Sequence, residues 1–245
     1  MTRIAILSDI HGNLPALEAV LADVAARGVT MTVNLGDILS GPLFPGETAD
    51  RLIPLALSTI RGNHERQLLT LGRDQMGPSD RHAADRLSPA HWAWIAALPE
   101  TLTPCADVHM VHGAPGSDLL YFLDSVTPAG IRHATPDEIA TRAGDVQAGL
   151  ILCGHTHLAG EARLADGRLV VNPGSVGLPA YADDQPWPHV METGSPHARY
   201  AIATRAQGRW SVEQVAVDYD WESAARRAEA NQRPDWARAL RTGFA

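Results

Sequence analysis

Six short apolar stretches of the sequence each end in residues that can bind metal ions or transfer protons. The ligand-type residues at these positions are Asp9, His11, Asp37, Asn63, His64, His112, His155 and His157. Their side chains offer carboxylate oxygen, amide oxygen and imidazole nitrogen, but no thiolate sulfur. This combination suits Mn, Fe or Zn ions and fits Ca or Mg less well. The sequence therefore predicts a site for divalent transition metals.

The number and spacing of these residues favour two ions rather than one. Asp9 and His11 flank a single residue, and so do His155 and His157. In an extended chain, residues two apart point the same way, so each pair can address one site. Eight ligand-type groups exceed what one ion takes. They fit two ions that share a carboxylate at the ~3.5–4 Å separation typical of phosphoester chemistry.

The apolar stretches that precede these residues are typical of β-strands. Their ranges are about 3–7, 31–35, 57–60, 108–111, 150–153 and 168–171. Because ligands gather outside the carboxyl ends of strands in open α/β sheets, we expect the polar residues to meet at one edge. Helical spacing predicts helices at about 14–27, over most of 65–98 with a break near 77–78, and at about 220–241. Two further strands are expected at about 198–204 and 209–217, which gives an α/β protein with mixed sheets.

The composition excludes several classes of protein. Of the 245 residues, 45% are hydrophobic and 20% are charged, which rules out a disordered or collagen-like chain. The formal net charge of −8 disfavours binding to nucleic acid or to an anionic membrane. No apolar stretch reaches the ~18 residues of a membrane span. The sequence also lacks a G-x-G-x-x-G or Walker loop and a G-x-S-x-G nucleophile motif.

The remaining features bear on compartment and domain organisation. The two cysteines, Cys105 and Cys153, form no disulfide framework, so a reducing cytoplasm is expected. The first residues are typical of a strand rather than of a signal peptide. No linker or internal repeat marks a boundary, and we expect a single domain over 1–245 with a C-terminal helix at about 220–241.

The ordered motifs resemble the signature of a known family, the calcineurin-like metallophosphoesterases. The blocks that carry the resemblance are Asp9-x-His11, Gly36-Asp37, Gly62-Asn63-His64-Glu65, His112 and Gly154-His155-x-His157. Two further stretches, 36–42 and Asn172-Pro173-Gly174-Ser175, resemble the small bacterial phosphodiesterase branch. The resemblance implies a four-layer αββα fold, in which two mixed β-sheets pack as a sandwich flanked by helices.

The resemblance also implies a role for each motif residue. The ligands of the first metal would be Asp9, His11, Asp37 and His157. Those of the second would be Asp37, Asn63, His112 and His155, with Asp37 shared. A metal-bridging hydroxide would attack phosphorus, and His64 would be the proton donor. The implied cofactors are two ions of Mn, Fe or Zn, with Mn favoured, and the implied substrate is a small phosphoester.

The sequence defines the substrate class less closely than it defines the metal ligands. We expect a phosphodiesterase; the alternatives are a phosphomonoesterase or protein phosphatase and a dinucleoside polyphosphate hydrolase. Protein phosphatases of this family follow the second aspartate with Asp-Arg-Gly, whereas Asp37 is followed by Ile38-Leu39-Ser40-Gly41; Arg61, however, resembles that branch. A non-catalytic scaffold of the same fold would have lost part of the site, but this chain keeps every ligand and His64.

Several other residues are candidates for substrate binding. They are Asn13, Arg61, Arg132, His133, Tyr121 and Trp187. Asn13 can instead cap the helix that begins at Leu14-Pro15. The long segments 114–134 and 177–197 are expected to be loops beside the site. We expect Glu65 to support His64 or a neighbouring ligand rather than to bind metal.

Overall fold

The computed structural model describes residues 2–245, and the first of its two five-stranded sheets contains both halves of the chain. Its strands are β1 (Thr2–Leu7), β2 (Met31–Asn34), β3 (Ser58–Thr59), β13 (Ala198–Ala206) and β14 (Arg209–Val217). They lie in the order β14-β13-β1-β2-β3. Strands β1, β2 and β3 run parallel, whereas β13 pairs antiparallel with both β1 and β14. The three parallel strands therefore end at the same edge of the sheet.

The second sheet also contains three parallel strands, here at its centre. Its strands are β4 (Leu102–Cys105), β5 (Val108–Met110), β8 (Leu150–Leu152), β9 (Ala159–Arg163) and β10 (Leu169–Pro173). They lie in the order β4-β5-β8-β10-β9, with β5, β8 and β10 parallel and the two outer strands antiparallel. The strands predicted from apolar stretches are confirmed, whereas β4 and β9 were not predicted.

Alternation along the strands explains why the two sheets pack face to face. Ile4 and Ile6 share a buried cluster with Leu150 of the other sheet, while Ala5 and Leu7 join a second cluster on the opposite face. Successive side chains of a strand point to opposite faces, so both faces of β1 are covered. Each buried isoleucine contributes about 1.5–3 kcal/mol by leaving water. One core thus lies between the sheets, and a second covers the opposite face of the first sheet.

Helices cover the outer face of each sheet and complete the expected αββα layers. The first sheet is covered by α1 (Leu14–Ala26), α2 (Pro45–Leu52), α3 (Asn63–Thr70), α4 (Pro78–Ala84) and α5 (Pro89–Ala97). On the second sheet, α6 (Pro136–Ala143) packs Ile139 and Ala143 against Ile151. Among the described residues, no helix is both long enough and apolar enough to cross a membrane.

The C-terminal segment differs from the single helix expected over about 220–241. It forms two helices, α7 (Trp221–Ala230) and α8 (Pro234–Thr242), whose apolar faces share a cluster with Leu43 and Leu178. The reason is Pro234, which lacks a backbone N–H and disfavours helical backbone at the preceding residue. The chain therefore turns before Pro234 and begins a new helix there.

The segments 114–134 and 177–197 are also more ordered than the expected loops. The first contains a hairpin of β6 (Asp124–Thr127) and β7 (Gly130–His133), and the second a hairpin of β11 (Ala180–Asp183) and β12 (His189–Glu192). The two hairpins contact each other through β7 and β12. They were missed because each strand has only four residues and their sequences do not alternate regularly between apolar and polar residues.

Candidate metal centre

The carboxyl ends of parallel strands from both sheets bring the predicted ligands into two adjacent groups. The first group is Asp9, His11 and His157, and the second is Asp37, His112 and His155. Within each group, the potential ligand atoms all lie within 4.8 Å of one another. Because β1 and β2 belong to one sheet and β5 and β8 to the other, each group takes ligands from both sheets.

The first group places two imidazole nitrogens against each other. The Nε2 atoms of His11 and His157 are 3.1 Å apart. The Nδ1 atom of each ring lies 2.7 Å from a backbone carbonyl oxygen, that of Ser40 for His11 and that of Leu178 for His157. Since each Nδ1 must donate to its carbonyl, both neutral rings direct Nε2 lone pairs at each other. A bound cation between the rings removes this repulsion.

Asp9 supports the same conclusion from the carboxylate side. The residue is fully buried, and its Oδ1 atom has no hydrogen-bond partner. That oxygen lies 3.5 Å from Nε2 of His157 and 4.0 Å from Nε2 of His112, between the two groups. A buried carboxylate oxygen without a partner is costly, and a divalent cation compensates for it. The residues of the first group therefore fit a metal ion.

The second group converges on Nε2 of His112. Its Nδ1 atom is held 2.8 Å from the carbonyl oxygen of Leu35, which directs Nε2 inward. Nε2 then lies 3.1 Å from Oδ2 of Asp37 and 3.0 Å from Oδ1 of Asn63. Imidazole nitrogen, carboxylate oxygen and amide oxygen thus lie close together, a combination of donors that suits a transition-metal ion. Asn63 therefore extends the second group.

Left-handed backbone turns the ligands inward. Five of the eight non-glycine residues with positive φ in the described chain are ligands of the two groups: Asp9, His11, Asp37, His155 and His157. This conformation is uncommon for residues other than glycine, although Asp and His adopt it more readily than most. Strained backbone of this kind concentrates at functional sites, where the surrounding structure enforces it.

Two motif glycines allow the strand ends to approach this closely. A Cβ atom on Gly62 would lie 2.2 Å from Oδ1 of Asp37, and one on Gly154 would lie 2.0 Å from Oγ of Ser8. The Gly154 Cβ would also lie 2.9 Å from Oδ2 of Asp9. Any side chain at either position would displace a ligand. The glycines of the motifs are therefore explained by space around the ligands.

His64 lies beside the two groups and is held by a residue that the sequence analysis did not identify. Its Nδ1 atom is 2.8 Å from Oδ1 of Asp80, a buried residue in the first turn of α4. Burial opposes the charged imidazolium, but Asp37 and Asp80 favour it more strongly and raise the pKa of His64 to about 9. The ring of His64 approaches that of His11 with centroids 5.4 Å apart. His64 thus lies at the edge of the first group, with its ring held by Asp80.

A cleft of about 410 Å³ opens over both groups. Its lining includes His11, Asp37, Asn63, His64, His155, His157, Tyr181, Arg233 and Trp236. Among the described lining residues, Arg233 is the one with a permanent positive charge. Its guanidinium binds Asp235 at 2.6–3.1 Å and donates to Oγ of Ser79 at 2.8 Å. The cation that faces the site is therefore already paired.

The sequence comparison decides the family. The protein-family model described as "calcineurin-like phosphoesterase superfamily domain" matches residues 2–193 of this chain. The chain belongs to this superfamily. The match contains every residue of the two ligand groups and His64, while α7 and α8 lie beyond it.

Several proteins are similar to this chain. An uncharacterized protein of Methanocaldococcus jannaschii, MJ0912, is 26% identical over 96% of this chain and 95% of its own length. Phosphodiesterase YfcE of Escherichia coli K12 is 40% identical over 73 residues, which are 26% of this chain and 40% of YfcE. A metallophosphoesterase from Sphaerobacter thermophilus has a similar structure, with a TM-score of 0.74 and 24% identity over 98% of both chains. This last similarity shows the shared fold.

The structure does not bring most of the predicted substrate-binding residues to the cleft over the two ligand groups. Arg61 pairs with Glu100 and lines a separate cleft, and Arg132 forms a two-pronged ion pair with Glu138. The His133 side chain is 93% exposed and contacts Asp124. Trp187 is half exposed and lies outside the cleft lining. Arg233 lines the cleft but was not predicted, because nothing in the sequence connects α8 with ligands that lie far away along the chain.

Asn13 and Tyr121 have defined structural contacts. The Asn13 side chain accepts a hydrogen bond from the N–H of Ala16 and so caps α1, while its amide nitrogen donates to the carbonyl oxygen of Gly177. The rings of Tyr121 and His155 pack edge to face with centroids 5.0 Å apart, and the Tyr121 hydroxyl is 2.7 Å from that of Tyr181. Tyr121 therefore packs directly against a ligand of the second group.

Buried polar residues support the ligand loops from behind. Asn172 donates to the carbonyl oxygen of Gly154 at 2.7 Å, and Ser175 donates to that of Asp9 at 2.8 Å. Glu65 is completely buried and accepts from the N–H groups of Gly62, Asp37, Ile38 and Leu39 at 2.8–3.4 Å. Glu65 thus fixes the Asp37 turn rather than His64.

Glu65→Gln is expected to lower the free energy of unfolding by about 2–4 kcal/mol, because the amide nitrogen cannot accept from the N–H groups that one carboxylate oxygen now serves. Denaturant unfolding monitored by circular dichroism measures the change. Glu100→Gln is the matched control, since Glu100 is 71% exposed in its pair with Arg61 and such surface pairs contribute about 0–1 kcal/mol. Equal stability of the two variants would contradict the role of Glu65.

Proposed function

We propose that the protein is a two-metal-dependent phosphodiesterase. The observation that carries the proposal is the pair of adjacent ligand groups, which lie in one cleft with a histidine held by a buried aspartate. Membership of the phosphoesterase superfamily supports hydrolysis of a phosphoester. The name of the partial relative, phosphodiesterase YfcE, supports the choice of diester. A scaffold role is disfavoured because the chain retains all ligands and His64.

The proposal assigns one metal to each ligand group. Asp9, His11 and His157 would hold the first ion. Asp37, Asn63, His112 and His155 would hold the second, with Asp37 also reaching the first. When bound, two divalent ions, with Mn favoured over Fe and Zn, would supply a hydroxide from water near neutral pH and neutralise phosphate charge. The backbone carbonyls behind His11, His112 and His157 keep the Nε2 atoms aimed at these positions.

In this proposal, His64 protonates the oxygen of the leaving group. Its Nδ1 atom is engaged by Asp80, which leaves Nε2 to deliver a proton inside the cleft. Asp80 therefore acts as a positioning residue that fixes the ring orientation. A positioned general acid typically contributes ~10²–10⁴-fold to the rate.

The charges of the cleft favour a diester over a monoester. A monoester dianion carries an additional charge that proteins usually answer with an arginine. The guanidinium of Arg233 is already bound to Asp235, and Asp183 also lines the cleft. A diester has a single negative charge and needs no further cation. The net charge of −8 favours a small diester over a nucleic-acid strand.

With Mn present, we expect bis-p-nitrophenyl phosphate to be hydrolysed with a kcat/KM about tenfold above that of p-nitrophenyl phosphate, a difference of about 1.4 kcal/mol in transition-state binding. Release of nitrophenolate measures both rates. Chelator-treated protein is the control for contaminating activity and should recover on addition of Mn. Faster hydrolysis of the monoester would overturn the diesterase assignment, and absence of metal uptake would overturn the two-metal site.

A further inference from the structure

The cleft of about 410 Å³ over the two ligand groups is called the metal cleft below. A second cleft, of about 470 Å³, adjoins it and lies between the β6–β7 and β11–β12 hairpins. Leu119, His155 and Asp183 line both clefts. His155 belongs to the second ligand group, so the two clefts meet at a predicted metal ligand. A substrate whose phosphate lies over the ligand groups can therefore extend past Leu119 into the second cleft.

The position of His64 indicates which part of a diester enters the second cleft. His64 lines the metal cleft but is absent from the lining of the second cleft. A proton donor must lie within hydrogen-bond reach of the leaving oxygen. The leaving group therefore remains on the His64 side. The ester group that stays on phosphorus is the one directed past His155.

The surface of the second cleft is suited to a flat apolar group. The adjacent residues Leu119 and Leu120 both line the cleft, and they are 54% and 43% exposed. Tyr121 continues this surface and contacts the His155 ring. Neighbouring exposed apolar side chains of this kind mark binding surfaces more often than isolated ones do. A volume of this size lies within the range of small-molecule sites.

The charged groups of the second cleft favour an uncharged ligand that carries hydrogen-bond donors. Arg132 is bound by Glu138 at 2.7 and 2.8 Å, and Arg142 donates to the carbonyl oxygens of Phe122 and Asp124. Both arginines are thus engaged. The carboxylates of Asp124 and Asp183 also line the cleft and can accept from hydroxyl groups, but they would repel a second phosphate.

We propose that the second cleft binds the non-leaving ester group of the substrate and that this group is a nucleoside. Its base would lie against Leu119, Leu120 and Tyr121, and its sugar hydroxyls would donate to Asp124 or Asp183. The placement rests on the proposed function, because that function puts the phosphate at the ligand groups. The affinity of the second cleft for a nucleoside is independent of the proposed function.

Two diesters with the same leaving group test the proposal. Thymidine 5′-(p-nitrophenyl phosphate) and ethyl p-nitrophenyl phosphate both release nitrophenolate and differ in the group that remains on phosphorus. Leu120→Asp should lower kcat/KM for the thymidine ester about tenfold and leave the ethyl ester within about twofold of the wild type. Leu120 is exposed and lines only the second cleft, so folding should be preserved. The control is Ile53→Asp, at an exposed residue outside both linings, which should change neither rate.

Binding of thymidine to chelator-treated protein, measured by calorimetry, separates this proposal from the proposed function. If the protein binds thymidine and Leu120→Asp weakens this binding about tenfold, the nucleoside site is supported. This conclusion holds even if neither diester is hydrolysed, because absence of hydrolysis would overturn only the phosphodiesterase function. If both diesters are hydrolysed and Leu120→Asp lowers kcat/KM equally for both, or for neither, the nucleoside site would be overturned. Absence of thymidine binding would overturn it as well.

Discussion

Asp37→Asn is expected to reduce metal content at both ligand groups and to lower kcat/KM by at least about a thousandfold, a loss of about 4 kcal/mol. The Asp37 carboxylate is buried, with Oδ2 at 3.1 Å from Nε2 of His112 and Oδ1 accepting from the N–H of His64. An amide removes the negative charge and replaces one acceptor with a donor, so it cannot be shared by two cations. Metal analysis by mass spectrometry and steady-state kinetics with bis-p-nitrophenyl phosphate measure the two losses.

The comparison with His11→Ala shows whether Asp37 is shared. His11 belongs to the first group alone, so its loss should reduce the metal content by about one equivalent, whereas Asp37→Asn should reduce it further. Asp166→Asn is the matched control, since Asp166 is half exposed and pairs only with Arg168. Two bound metals and near-normal turnover in Asp37→Asn would show that this carboxylate is not the shared ligand.

His64→Ala should retain both metals and lose ~10²–10⁴-fold in rate for diesters with alkyl leaving groups. The loss should be smaller with nitrophenolate, because a stable anion leaves without a proton. Parallel measurements of methyl and p-nitrophenyl esters of the same phosphoryl group give the two ratios. Asp80→Asn should show the same dependence on the leaving group with a smaller loss, because the amide still contacts Nδ1 but stabilises the charged ring less.

The leaving-group dependence distinguishes a proton donor from a structural residue. If His64 only filled space beside His11, both leaving groups would be slowed equally, and the assignment would fail. The control is His109→Ala, because His109 lies on β5, contacts Thr103 and is absent from the lining of both clefts. That variant should retain the rates of the wild type for both esters.

The metal ligands could be predicted because each follows a strand whose apolar pattern is strong. Ile4 and Ile6 face one core and Leu7 another, so the sequence around β1 shows where the strand ends and Asp9 begins the loop. The orientation of the ligands was not predictable in the same way. His11 is oriented by the backbone carbonyl oxygen of Ser40. Because every residue carries such a carbonyl, the sequence does not show which one contacts the ring.

The residues that were missed lie far along the chain from their partners or in weak patterns. Asp80 contacts His64 from a separate helix, and a lone aspartate in a polar helix has no distinguishing signal. Arg233 reaches the cleft only because α7 and α8 fold back over it. The division of that helical segment did have a signal in Pro234. The position of Arg233 in the cleft and its contact with Ser79 depend instead on tertiary packing.

The origin of each ligand group in both sheets has a mechanical consequence. In the first group, Asp9 and His11 come from one sheet and His157 from the other; in the second, Asp37 faces His112 and His155 across the same seam. Each bound cation would therefore act as a cross-link that joins the two halves of the sandwich at its open end. Metal affinity becomes part of the folding free energy in such an arrangement. The same ions that carry the chemistry would thus also fasten the two sheets to each other at the edge where the ligand-bearing strands end.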